Sequence, residues 1–410
     1  MGDRCCLVHG GAGRREGGVV VIAVRLALCA LVALGVACQG PARDRATQRA
    51  PAIRVVAPAD TVPRSLNIYA AAGAGMLSPA ARRAKSLVYV PNSKDGTVSV
   101  IDPRAYRVVR TFATGALPQH VVPAYDLATL WVANNLGNSL TPIDPVTGRD
   151  GRIVPVSDPY NLYFTPDGRF AVVIAERRQR LDFRDAHTLA LVASVPVECR
   201  GVDHMEFTAD GRYALATCEF SGQLLKLDLA TRHIVGYLLL DPEGLGPRAM
   251  PQDIRSAPDG RVFYVADMMA NGVFLVDPAA FRRVGFIATG KGAHGIYPSR
   301  DGRLLYVSNR GWNTVGGRRR GPGSVTVLDP ATQAVVATWP VPGGGSPDMG
   351  NVTADGTELW LSGRYDEEVY VFDTATGRLT HRIGVGREPH GLCVWPQPGR
   401  YSLGHTGNMR

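Results

Sequence analysis

Seven polar side chains recur at one position of a repeated sequence pattern, and four of them are histidines. They are His120, Asn161, His204, Asp253, His294, Asp348 and His390. Successive members stand roughly 40 to 50 residues apart, and the chain has only 9 histidines in total. Neutral imidazoles and carboxylates can bind a divalent transition metal, and they can also act as acid and base on a small substrate. If the fold brings the seven positions together, they form a candidate metal or ligand site.

A second set of residues stands at the end of the apolar segment that follows each of these positions. This set comprises Asn92, Asn134, Glu176, Glu219, Asp267, Asn309 and Arg364. We predict metal binding by His120, His204, His294 and His390, and ligand binding by Asn161, Asp253, Asp348, Glu176, Glu219, Asp267, Asn309 and Arg364. The alternative is that the repeat itself prefers polar residues here, because they frame a water-filled channel and hydrogen-bond neighbouring units.

The repeated pattern predicts an all-β fold. One unit reads QDIRSA, VFYVAD, GVFLVD and RRVGFIAT, four short alternating segments separated by turn residues such as Pro258-Asp259-Gly260. This pattern is typical of a four-stranded antiparallel meander. Such sheets bury both faces only by stacking, and a radial stack is a β-propeller.

Counting the segments predicts seven blades. The strand that begins at Leu87 has no first strand before it, and the segment His390–Trp395 has no complete blade after it. We therefore expect the two ends of the chain to share one blade, which closes the ring and removes open sheet edges.

The segment from Leu304, LLYVSN followed by GSVTVLDPATQAVVATWPV, resembles the YVTN β-propeller repeat. The resemblance departs in the third blade, where RLDFRDA replaces the usual strand, and in the sixth, where GWNTVGGRRRGPG is inserted. It implies the propeller fold and similarity to surface-layer proteins, exported binding proteins and the haem d1 domain of nitrite reductases. Lactonase propellers hold calcium through Glu, Asn and Asp, whereas this predicted ring is rich in histidine, which disfavours calcium.

The N-terminus predicts export. Leu26–Ala37 is a short apolar segment, too short to span a bilayer as a helix but suited to a signal peptide, and Cys38 follows it as a candidate for lipidation. Cleavage by an ordinary signal peptidase is the alternative. We assign residues 1–38 to the signal, 39–66 to a flexible tether and 67–410 to the propeller. We expect the protein to be a membrane-anchored lipoprotein of the cell envelope that faces the extracytoplasmic side.

Two cysteines stand near the predicted ring, Cys199 and Cys218. Exported thiols that meet usually form a disulfide, so we predict this pair as a disulfide, with free thiols or metal ligation as alternatives. The formal net charge is +9 at pH 7, carried by arginines spread over turns, and we expect no nucleic-acid binding. Nucleophile-elbow, P-loop and dinucleotide motifs are absent from the sequence.

These features favour a monomeric, non-enzymatic binding protein that takes a small molecule or a protein at the channel mouth on the top face. The cofactor is not defined, although a divalent transition metal suits the histidines. The alternatives are a metal-dependent hydrolase of the lactonase kind and a haem d1-like redox module.

Overall fold

The computed structural model describes residues 67–240 and 249–405. The predicted signal segment 1–38, the tether 39–66 and the lipidation candidate Cys38 lie outside the described residues. Within the described ranges, no helix is long and apolar enough to cross a membrane. The single α-helix there is α1 (Pro79–Arg82), and strands account for most of the ordered structure.

Seven antiparallel sheets form the blades of a β-propeller, which confirms the predicted fold. Their innermost strands contact one another in a closed circle.

Blade 1 contains β1 (Leu87–Asn92), β2 (Thr97–Asp102), β3 (Arg107–Ala113) and the last strand, β29 (Cys393–Trp395). Blade 2 contains β4 (Pro118–Pro123), β5 (Leu130–Asn134), β6 (Ser139–Asp144) and an outer strand in two pieces, β7 (Arg149–Asp150) and β8 (Val154–Pro155). Blade 3 contains β9 (Asn161–Phe164), β10 (Phe170–Ala175), β11 (Arg180–Asp185) and β12 (Leu191–Pro196). Blade 4 contains β13 (Val202–Phe207), β14 (Tyr213–Cys218), β15 (Gln223–Asp228) and β16 (His233–Leu239).

Blade 5 contains β17 (Pro251–Ser256), β18 (Phe263–Asp267), β19 (Gly272–Asp277) and β20 (Arg282–Ala288). Blade 6 contains β21 (Ala293–Pro298), β22 (Leu305–Asn309), β23 (Ser324–Asp329) and β24 (Ala334–Pro340). Blade 7 contains β25 (Pro347–Val352), β26 (Glu358–Gly363), β27 (Glu368–Asp373) and β28 (Leu379–Gly384).

The two ends of the chain share blade 1, as predicted. β29 pairs antiparallel with β1, so that Leu87 faces Trp395 and Tyr89 faces Cys393. Apolar residues of this blade pack against blade 7, where Trp360 is fully buried beside Val88 and Val394. Burying a large side chain of this kind contributes about 1.5–3 kcal/mol, which stabilises the contact between blades 1 and 7.

Irregular register is a common feature of the channel-lining strands. The pairing of the first and second strands shifts at Pro118/His120, Val202/Met205, Pro251/Ile254, Ala293/Ile296 and Pro347/Gly350. In blade 3 the corresponding strand, β9, pairs regularly. A β-bulge re-aims side chains and is common beside functional sites. The register shifts fall at or around the predicted ring positions and thereby set the direction in which those side chains point from the strand.

The C-terminal segment enters the channel beside β9. Leu403 O accepts a hydrogen bond from Phe164 N at 3.0 Å, and His405 N donates one to Leu162 O at 2.9 Å. Gly404 lies between them with φ of +91°, and a Cβ there would stand 2.3 Å from Leu162 O. Glycine is therefore required at this position. This close approach carries His405 into the channel.

Candidate metal site in the central channel

The fold brings the seven predicted ring residues together in the channel. Each is at most 2 % exposed: His120, Asn161, His204, Asp253, His294, Asp348 and His390. An eighth polar side chain, that of His405, joins them and is fully buried. The ring centroid of His120 lies 4.9 Å from that of His390, 5.3 Å from that of His204 and 5.4 Å from that of His405. Five imidazoles therefore share one buried space, which we call the histidine cluster.

Asp348 organises one side of the histidine cluster. Its Oδ1 accepts from Arg310 Nε at 2.7 Å and lies 2.9 Å from His294 Nδ1, while its Oδ2 lies 2.7 Å from His390 Nδ1. Burial alone would raise the pKa of this carboxyl, but the Arg310 guanidinium, assisted by both imidazoles, holds it well below its ordinary value. On this side the polar atoms of Asp348 are satisfied within the protein, and the arrangement is that of a structural ion pair.

The other side of the histidine cluster contains His204, His405 and Asp253. Ligand atoms of these three residues all lie within 4.8 Å of one another. His405 Nε2 stands 3.3 Å from Asp253 Oδ1 without the alignment of a hydrogen bond. Asp253 Oδ1 also accepts a hydrogen bond from Arg255 Nη1 at 2.8 Å, and this guanidinium balances the charge of the carboxylate. We call these three residues the metal triad.

Buried nitrogen atoms without partners mark this side of the channel. His204 Nε2, His405 Nε2 and both ring nitrogens of His120 have no hydrogen-bond partner in the part of the chain that the structure describes. A buried polar atom left unsatisfied costs about 1–3 kcal/mol, and a native protein normally supplies such atoms with a partner. A metal ion or ordered water is therefore expected between these side chains.

The imidazoles are held neutral. Burial lowers the pKa of His120, His204 and His405 well below the ordinary value. Neighbouring histidines lower all three pKa values further, and for His405 the Arg255 guanidinium adds to the effect of burial ahead of them. The pKa of His390 falls to about 3, mainly through burial and against the attraction of Asp348. Neutral imidazole is the form that ligates a metal, so the metal triad need not lose a proton from the ring to become a ligand set.

Asn161 decides which nitrogen each imidazole offers. Its Nδ2 lies 3.3 Å from His204 Nδ1 and 3.0 Å from His405 Nδ1. With the carboxamide turned over, Oδ1 would accept from both Nδ1–H groups, and both Nε2 lone pairs would be free for a metal. In the observed orientation Nδ2 donates to both Nδ1 atoms, which leaves the proton of each neutral ring on Nε2. Turning the carboxamide over breaks the hydrogen bond that Asn161 Oδ1 accepts from Leu162 N at 2.9 Å. The side chain of Asn161 thus contacts both imidazoles and fixes the orientation of their rings.

Four members of the predicted second ring stand at or just after the ends of the second strands β10, β14, β18 and β26. Glu219 accepts Gln252 Nε2 at 3.0 Å, and burial raises its pKa. Burial, with Glu219 as neighbour, raises the pKa of Glu176 to about 7. Arg364 Nη2 stands 3.7 Å from Glu388 Oε2. Burial also raises the pKa of Asp267 to about 7, although its oxygens already accept the backbone N–H groups of Met250 and Ala270 and so close a turn.

Asn309, which we also predict to bind the ligand, donates its hydrogen bonds inside its own blade. Its Nδ2 donates to Ser324 Oγ at 3.1 Å and Thr326 Oγ1 at 2.9 Å, which joins β22 to β23 inside the blade. Asn92 and Asn134 make the same pair of contacts in blades 1 and 2. The amide nitrogen is therefore occupied in structural hydrogen bonds, and ligand binding by Asn309 stays a prediction.

Cys199 and Cys218 form a disulfide in the structure, across a sequence separation of 19. The bond joins the segment before β13 to the end of β14, beside the strand that carries His204. It therefore braces the blade from which one member of the metal triad projects.

Two residues of the site lie outside the repeated pattern and could not be assigned to it from the repeat. His405 lies in a C-terminal segment that follows the last repeat, and Arg310 begins the insertion in blade 6. The available signal was weak: His405 is flanked by glycine at Gly404 and Gly407, which allows close approach to another backbone. Only the folded chain shows that these two residues reach the histidine cluster.

The fold and the site together define a seven-bladed β-propeller with a histidine-rich buried channel. The family described as YNCE-like beta-propeller matches residues 48–399, and the chain belongs to that family. This confirms the resemblance to the repeat propellers noted in the sequence. Among curated proteins, no significant match is found.

Several solved structures share the fold. Hydrazine synthase of Kuenenia stuttgartiensis is 19 % identical with a TM-score of 0.57, over 67 % of this chain and 88 % of that chain. A functionally unknown protein from Desulfotomaculum acetoxidans is 15 % identical with a TM-score of 0.62, over 76 % and 100 %. The dihydro-heme d1 dehydrogenase NirN, in complex with DHE, is 16 % identical with a TM-score of 0.55, over 75 % and 74 %. Identities this low establish a common fold and no common activity.

Proposed function

We propose that this chain is an exported, non-enzymatic propeller that binds one divalent transition metal ion in its channel. The metal triad, His204, His405 and Asp253, would hold the ion. The observation that carries the proposal is the convergence of these three ligand groups within 4.8 Å, fully buried, with both His Nε2 atoms lacking hydrogen-bond partners. The donor set of two imidazoles and one carboxylate suits zinc, copper or nickel better than calcium or magnesium.

The spacing of the metal triad fits an ion after a small adjustment. Ligand bonds of about 2.1 Å in a tetrahedral site place ligand atoms about 3.4 Å apart. The 3.3 Å between His405 Nε2 and Asp253 Oδ1 is already close to this value. His204 lies within 4.8 Å of the other two ligand groups and must move closer to them, by up to about 1.4 Å, to reach this spacing. His120, whose ring nitrogens also lack partners, is placed to complete the coordination.

Burial of the site favours binding over catalysis. A hydrolase needs a coordination position open to substrate and water, and a haem needs a flat cavity beside its axial ligand. The three triad side chains are fully buried, and His120 is fully buried as well. Their burial supports an ion retained inside the protein rather than a centre that turns over external substrates.

Export and anchoring belong to the same proposal. The apolar segment Leu26–Ala37 followed by Cys38 supports a lipoprotein signal. A disulfide between Cys199 and Cys218 suits an oxidising compartment outside the cytoplasm. Replacing Cys38 by Ser should release the protein from the membrane fraction, whereas a Cys38→Ser protein that stays membrane-bound would contradict a lipid anchor.

The test of metal binding is a titration of untagged, metal-stripped protein with Zn²⁺ and Cu²⁺, followed by native mass spectrometry. One ion per chain is expected for the wild type and for His233→Ala, an exposed histidine on the outer strand β16. His204→Ala and His405→Ala should each weaken binding at least tenfold. If ordered water normally occupies the site, neither the wild type nor any variant will bind an ion. That result would contradict the proposal.

A further inference from the structure

A second cavity lies at the ends of the first strands, on the propeller face opposite the histidine cluster. Its volume is about 350 Å³, at the lower end of the range for small-molecule sites. Turns after β17 and β21 form its wall, and residues 67–76 form its cover. The cover is fixed in place, because Asn67 Nδ2 donates to Pro258 O at 3.1 Å and Tyr69 Oη donates to Phe207 O at 2.6 Å.

The cavity combines an apolar wall with a fixed guanidinium. Ala70, Met76, Ala257 and Val352 supply apolar surface. Arg300 Nε donates to Thr353 O at 2.8 Å, and its Nη2 donates to Val352 O at 2.5 Å and to the Gln397 side-chain oxygen. These neutral acceptors hold the guanidinium in one orientation at the cavity without cancelling its charge.

Arg300 has no carboxylate as a contact partner. No Asp or Glu oxygen within the described ranges lies within 4 Å of its guanidinium, and its Nη1 makes no hydrogen bond to the described residues. Arg255, the other guanidinium at the cavity, is balanced by Asp253 at 2.8 Å. Burial lowers the pKa of Arg300 to about 10, so the group keeps its charge at neutral pH. Asp355 attracts the guanidinium without contacting it, so the charge of Arg300 is only partly balanced. An anionic group bound in the cavity would complete the compensation.

We propose that this cavity binds a small organic anion, an apolar body bearing one carboxylate or phosphate group, with Arg300 contacting the anionic group. The guanidinium offers the planar pair of N–H donors that such oxyanions accept. The apolar wall accepts the body of the ligand. Because the cover is already docked, binding requires little ordering of the chain. This site shares no residue with the metal triad, so each can fail independently of the other.

Two dyes that differ in one charged group provide the probe. 8-Anilinonaphthalene-1-sulfonate carries a sulfonate, and N-phenyl-1-naphthylamine is the same apolar body without it. Fluorescence titration of the full-length protein should give one saturable site that prefers the sulfonate. Arg300→Gln should weaken binding of the anionic dye about tenfold or more and leave the neutral dye within about twofold.

The matched control is Arg303→Gln on the same turn, whose side chain is 85 % exposed. It should change neither affinity by more than about twofold. Arg300→Lys keeps the charge and should retain the preference for the anionic dye, which separates loss of charge from loss of folding. Equal affinity of the wild type for the two dyes, or an equal effect of Arg300→Gln and Arg303→Gln, would overturn the proposal.

Discussion

Replacing Asp348 by Asn should destabilise the propeller strongly, because among the described residues Asp348 is the one carboxylate that contacts the buried Arg310. The carboxylate accepts Arg310 Nε at 2.7 Å and lies within 2.9 Å of His294 Nδ1 and 2.7 Å of His390 Nδ1. Asn can keep one of these contacts through its oxygen, but the Arg310 charge is then left buried without compensation. Removing one partner of a buried pair costs about 3–5 kcal/mol. This loss is a large part of the total stability of a typical protein, about 5–15 kcal/mol.

The assay is guanidinium denaturation at pH 7, followed by tryptophan fluorescence and far-UV circular dichroism. Asp259→Asn serves as the control, because Asp259 is 53 % exposed and Asn can still accept the Arg261 amide. It should change the free energy of unfolding by less than about 0.5 kcal/mol. Arg310→Met combined with Asp348→Asn should lose less than the sum of the two single changes, since the double variant removes both charges of this pair and leaves neither of them unpaired. A loss below about 1 kcal/mol for Asp348→Asn, or strict additivity in the double variant, would refute the reasoning.

Three further predictions concern other parts of the molecule. Replacing Cys199 and Cys218 together by Ser should lower the free energy of unfolding by about 3 kcal/mol, measured by the same denaturation, because the bond closes a loop of separation 19; an unchanged midpoint would contradict it. Glu176, whose pKa rises from 4.5 to about 7, should make the wild type less stable as pH rises between these values. Glu176→Gln should therefore stabilise the protein by roughly 1–3 kcal/mol at pH 8 and leave it unchanged at pH 4, and equal effects at both pH values would rule this out. Asn161→Asp should tighten Zn²⁺ binding about tenfold and Asn161→Leu should weaken it about tenfold in a calorimetric titration, because only an oxygen acceptor fixes both Nδ1–H groups; identical affinities would remove Asn161 from the site.

The blades and the ring positions could be predicted because they follow the repeat. Each unit repeats the same strands and turns, so equivalent residues must lie at equivalent places around the channel. His120 and His294 are far apart in sequence but occupy the same position of the repeat, which was enough to predict that they meet. In the structure both are buried, and both rings lie beside that of His390. The shared blade followed from the same count, since β29 is the one first strand without a blade of its own.

The repeat also explains what could not be predicted. His405 and Arg310 belong to segments outside the repeated pattern, so no equivalent position indicated where they lie. Asn309 was assigned to the ligand because it ends the second strand of its blade, a position expected to surround the ring, and its partners Ser324 and Thr326 recur as hydroxyl residues in sister blades. A polar residue that recurs together with its partner indicates a structural hydrogen bond. A polar residue that differs from blade to blade is the better indicator of a site.

The most direct measurement of the central claim is the Zn²⁺ stoichiometry of untagged, metal-stripped protein by native mass spectrometry and calorimetry. Wild-type protein and His233→Ala should each bind one ion per chain, and His405→Ala should bind it at least tenfold more weakly while remaining folded. Loss of the ion in His405→Ala alone would place the C-terminal segment at the site. Failure of the wild type to bind an ion, or equal binding by wild type and His405→Ala, would contradict the metal triad.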